Sequence, residues 1–103
     1  MYSLTDAAMI QLGQTGNAFI TGASSYTPPS GMVVVAMTMI ADVTFDSSDA
    51  TTAESSWSTD AQGGIGTGGD PWDQTTFPKG VTIYGRWTAV AIDAGSVMLY
   101  VGP

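Results

Sequence analysis

Residues 31–45, Gly31-Met32-Val33-Val34-Val35-Ala36-Met37-Thr38-Met39-Ile40-Ala41-Asp42-Val43-Thr44-Phe45, decide the fold class of this chain. Val33, Val35, Met37, Met39, Ala41, Val43 and Phe45 stand at every second position, which is the period of an extended strand. The alternate positions are apolar first (Met32, Val34, Ala36) and more polar later (Thr38, Asp42, Thr44). Val, Ile, Thr and Phe favour a pleated backbone, and Pro28-Pro29 blocks an earlier helical start. The pattern predicts one long strand, buried on its odd face throughout and on both faces over its first half. A helix over Met32–Ala41 is the competing reading. The even face, with Met32, Val34 and Ile40, needs a cover, and a second subunit is a natural one.

On the C-terminal side, residues 81–88 (Val81 to Thr88) alternate apolar odd positions with more polar even ones. Asp93-Ala94-Gly95-Ser96 has turn chemistry, and Val97–Val101 reads as a return strand, so a C-terminal hairpin is expected. Gly85 inside the first strand points to a bulge or a close backbone approach. On the N-terminal side, Asn17–Thr21 is a short strand between Gly16 and Gly22. Asp6–Leu12 reads as a short helix or a further strand. The expectation is one β domain over residues 1–103, a small all-β sandwich or barrel.

Between these parts lies a long polar loop, residues 46–76. Its 31 residues hold sixteen Ser, Thr or Gly and six of the nine acids, so it carries −6 of the net −7. Connections this long are uncommon in a compact domain and are usually functional or partly disordered. Trp57, Ile65 and Trp72 interrupt it, which predicts that parts of it dock.

Composition excludes whole classes of function. With 103 residues the chain is one domain, and folding hides about 64% of its surface, enough for one modest core. Lys79 and Arg86 are its two cations, too few to neutralise a run of phosphates, so no nucleic-acid partner is expected. The sequence holds no Cys and no His, which removes Cys- and His-based catalysis, zinc fingers and haem ligation. The first residues carry no positive charge, and the longest apolar run is ten residues, half of what a membrane helix needs, so neither a secretory signal nor a membrane is expected. No enzyme activity, cofactor or metal is expected.

Several sequence motifs have plainer explanations. Gly64-Ile65-Gly66-Thr67-Gly68-Gly69 matches G-x-G-x-x-G, but a polar loop precedes it and Asp70-Pro71-Trp72 follows. A dinucleotide site needs a strand before that run and a helix after it, so a glycine-rich loop explains the letters. Asp93-Ala94-Gly95-Ser96 resembles the D-[ST]-G-[AS] run of aspartic proteases, yet Ala94 replaces the hydroxyl residue and a turn accounts for the rest. Asp42, Asp46, Asp49, Asp60, Asp70 and Asp73 match no calcium-loop spacing, and a solvated acidic loop accounts for them. The in-phase position of Trp87 places it in the core. Trp57 and Trp72 lie in the polar loop and are the better interface candidates, with a sugar-stacking platform as the second reading.

The run Thr76-Phe77-Pro78-Lys79-Gly80-Val81-Thr82-Ile83-Tyr84-Gly85-Arg86-Trp87-Thr88, followed by Gly95-Ser96-Val97 and Tyr100-Val101-Gly102, resembles the C-terminal signature of a group of small virion proteins of tailed bacteriophages. Thr27–Ala36 and Asp42–Asp46 are similar to the same group, and together these segments span about half the chain. The resemblance implies a structural role in the particle, as a capsid decoration (cement) protein made in the host cytoplasm and displayed on the capsid surface. It implies the major capsid protein and further copies of this chain as partners, with a homotrimer favoured. It transfers no catalytic residue. The expected interface residues are Trp57, Trp72, Met32, Val34 and Ile40, and the alternatives are an adhesion or carbohydrate-binding module, or a neck or tail component.

Overall fold

The computed structural model describes residues 16–46, 51–54, 72 and 74–103. Among them are eight strands and no helix: β1 (Asn17–Thr21), β2 (Ser24–Tyr26), β3 (Val33–Met39), β4 (Val43–Phe45), β5 (Thr52–Ala53), β6 (Thr76–Phe77), β7 (Thr82–Ala94) and β8 (Ser96–Gly102). The all-β class is as expected. All pairings are antiparallel, and the strands join in the order β1-β8-β3-β7-β4-β6, with β2 and β5 also on β7. The sheet does not close into a barrel.

β7 organises the fold because it serves two neighbourhoods. From Thr82 to Trp87 it pairs with β3. From Val90 to Ala94 it pairs instead with β2 and β4, while β5 sits opposite Trp87 and Ala89. A strand that changes partners along its length must bend, and that bend wraps the sheet around one core. The core joins Ile20 of β1, Met37 and Met39 of β3, Val43 and Phe45 of β4, Trp87, Val90 and Ile92 of β7, and Val97 and Leu99 of β8.

Three expectations need correction. First, β7 and β8 form no hairpin with each other. Gly95 alone separates them, yet β3 lies between β8 and the first half of β7. The bend in β7 returns its end to the far side of the core, so β8 leaves beside β3 instead. β3 is also the most apolar strand, and the central place hides both its edges and nearly all its side chains.

Second, residues 31–45 make two strands. The break falls at Ile40–Asp42, where the amides of Ile40 and Ala41 both donate to the Ser96 carbonyl, at 2.9 and 3.3 Å. Third, the odd face does not stay on one side. Val34 pairs with Trp87 and Ala36 with Tyr84, so Gly85 and Arg86 together oppose Val35. Against β8, Val34 pairs with Val101 and Ala36 with Tyr100, so Val35 has no opposite residue there. This irregularity switches the phase of β3. Val34, Met37 and Met39 face the main core, while Val33 and Val35 pack with Tyr100 on the other side. Gly85 stands at that bulge, as its place in the strand suggested.

Within the polar loop, β5 and the start of β6 are strands, and Thr51 is fully buried. Its hydroxyl donates to the Ala91 carbonyl (3.2 Å) and accepts from the Ala91 amide (3.1 Å). The expected element at Asp6–Leu12 and most of residues 46–76 lie outside the described residues.

Candidate interaction face

The register defines a second face on the β1-β8-β3-β7 part of the sheet. Met37 with Leu99 and Met39 with Val97 point into the core, so Thr38 and Met98 point away from it. One cross-strand row on that outer side reads Phe19, Met98, Thr38, Thr82, and the next reads Asn17, Tyr100, Ala36, Tyr84. Phe19 is 53% exposed and Tyr84 61%, large values for such side chains in a chain this small. Ala36 is buried between the two tyrosine positions.

Hydroxyl pairs knit the face at its strand crossings. Thr38 and Thr82 are 3.0 Å apart, and Thr21 and Ser96 are 2.8 Å apart. These two rows hold no charged side chain, on a chain whose net charge is −7. The nearest charge on β7 is Arg86, whose Nε and Nη2 donate to the two carboxylate oxygens of Glu54 at 2.9 and 3.2 Å. Its Nη1 donates to an oxygen of Pro103 (3.1 Å), which ties the last residue to the bulge. An aromatic, uncharged patch bordered by a paired charge has the composition of an interface centre.

The expected site residues fall in different places. Val34 is fully buried in the core, so the structure removes it from the interface; the bulge at Val35 turned it inward. Met32 is half-buried. Ile40 is 45% exposed at the β3–β4 turn, two residues beyond Thr38, and its amide donates to the Ser96 carbonyl beside the Thr21–Ser96 pair. Trp72 is half-buried and packs edge-on against Phe45, Phe77 and Trp87, with ring centroids 4.5, 5.3 and 6.3 Å away. It pins the polar loop to the protein's own core. Trp57 lies outside the described residues. Sequence reasoning missed Phe19, Met98, Tyr100 and Tyr84 as a group, because only the pairing of β1, β8, β3 and β7 brings them together.

The motif residues are also placed. The Asp93 carboxylate accepts a hydrogen bond from the Gln74 side chain (2.7 Å), which also donates to the Phe45 carbonyl (3.1 Å). Asp42 accepts from the Lys79 amide (2.9 Å). Among the described residues no three acidic side chains gather as a metal site. The glycine run 64–69 lies outside the described residues. With this geometry in hand, comparison with protein-family models, curated proteins and solved structures finds no match to the chain.

Proposed function

We propose that this chain is a non-enzymatic structural protein of a tailed-phage particle, a capsid decoration protein that seats on the major capsid protein and stabilises the shell. The resemblance of the strand-and-turn runs supports the reading. The observation that carries it is the pair of uncharged cross-strand rows on the outer side of β1, β8, β3 and β7, which place Phe19, Met98, Tyr100 and Tyr84 together. A strongly acidic chain that must lie flat on another protein loses least desolvation energy through a face free of charge. Flat sheet faces bind by shape, and Tyr, Phe and Met give them area with little rotamer loss. Of the two tryptophans behind the carbohydrate reading, Trp72 is packed into the aromatic cluster and Trp57 lies outside the described residues.

The test is binding of purified protein to phage heads assembled without it. Heads should take up the wild-type chain, and Tyr84→Asp should weaken uptake by about tenfold or more. Ser25→Asp, at an exposed position on β2, should leave uptake unchanged. Heads that bind no wild-type protein, or equal losses in both variants, would overturn the proposal.

A further inference from the structure

Among the described residues β1 ends the sheet, and its hydrogen-bonding groups divide cleanly between its two sides. Gly16 accepts from the Val101 amide, and the Gly22 amide donates to Gly95, both at 2.9 Å. In an antiparallel pair the bonded positions alternate, so Ala18 and Ile20 also turn their amide and carbonyl groups toward β8. Asn17, Phe19 and Thr21 therefore turn theirs away. The Thr21 carbonyl accepts the Ser24 hydroxyl at 2.6 Å; among the described residues nothing pairs with the Asn17 and Phe19 backbone on that side.

The strand itself carries none of the usual edge protections. It contains no proline, no charge and no bulge, and it keeps unbroken register with β8 over all five residues. No charged residue occurs between Asp6 and Asp42. Two chains of net −7 repel wherever acids meet, so an uncharged edge is where a second copy can approach. A strand edge can pair antiparallel with its own copy about a two-fold axis, and an axis at Phe19, the middle residue, overlaps all five residues of β1.

We infer that two copies of this chain pair β1 with β1, antiparallel, about a two-fold axis at Phe19. Phe19 then exchanges both backbone hydrogen bonds with Phe19 of the partner subunit, and Asn17 opposes Thr21 of the partner subunit. The sheet continues across the axis, with the two Phe19 rings side by side and a Met98 flanking each. Both outer faces look the same way, so the apolar row of one copy runs into that of the other. The pairing stands whether or not a phage particle is the target, and it replaces the three-fold association implied by the resemblance with a two-fold one.

Sedimentation equilibrium over a roughly hundredfold concentration range tests it. Wild type should fit a monomer–dimer equilibrium, and Phe19→Lys, which places two ammonium groups at the axis, should raise the dissociation constant by at least about 100-fold. The chain has no cysteine, so Phe19→Cys introduces one thiol without background. Hydrogen-bonded antiparallel partners lie about 5.5 Å apart at Cα, within the range a disulfide spans. Mild oxidation should link Phe19→Cys chains as dimers and leave Tyr84→Cys, on the opposite edge of the same face, largely unlinked. A wild-type monomer throughout the range, a trimer, or equal cross-linking in both cysteine variants would overturn the pairing.

Discussion

Gly95 lies directly on the backbone of Asp42. A Cβ at Gly95 would meet the Asp42 carbonyl oxygen, and would stand 2.8 Å from Val43 Cα and 2.9 Å from the Asp42 carbonyl carbon. Its φ of +98° is also one that L side chains rarely adopt. This contact sets the β3–β4 turn against the β7–β8 link, where Ser96 receives the Ile40 and Ala41 amides.

Gly95→Ala should therefore cost at least about 2–3 kcal/mol, combining left-handed strain with a backbone collision that no rotamer relieves. Gly31→Ala is the matched control, with φ of +84° but open space around it. It should cost about 1–2 kcal/mol. Urea unfolding midpoints compare the two, and equal losses would show that the Asp42 contact yields freely.

Thr51→Val should cost about 1–3 kcal/mol, because it keeps the shape but strips both hydrogen bonds from Ala91. Thr51→Ser retains the hydroxyl and should lose less. Amide hydrogen exchange at Ala91 should accelerate in the Val variant and stay near wild type in the Ser variant.

Trp72→Ala should destabilise the fold by about 2–4 kcal/mol, since the indole bridges Phe45, Phe77 and Trp87. Near-ultraviolet circular dichroism should lose most of the Trp signal that this edge-on cluster generates. A variant with wild-type stability would place Trp72 outside the core.

Arg86→Lys should cost about 1–2 kcal/mol, because an ammonium group cannot make both bonds to Glu54 and the further bond to Pro103. The side chains are 14% and 26% exposed, so salt should erase only part of the difference. Thermal unfolding at low and high salt measures both quantities.

Much of this architecture was legible along the chain. The period-2 pattern of residues 31–45 favoured a strand over the competing helix at Met32–Ala41, and with it a β protein. Gly16 and Gly22 bounded β1 at Asn17–Thr21. Gly85 marked the bulge, and Trp87 stood in phase with the core. Each of these is a local property: side-chain alternation, a turn residue or a missing Cβ acts over a few residues and needs no knowledge of partners.

Tertiary structure alone decided who pairs with whom. Strand pairing brings together backbone groups far apart in sequence, and alternation is the same whichever neighbour supplies the hydrogen bonds. Hence β3 could stand between β7 and β8 with nothing in their adjacent sequences to announce it. The irregularity at one residue, Val35, reversed the phase and placed Val34 in the core. The break at Ile40–Asp42 was set by Gly95 and Ser96, more than fifty residues away. Phe19, Met98, Tyr100 and Tyr84 share a face for the same reason: cross-strand register, not proximity along the chain, makes them neighbours.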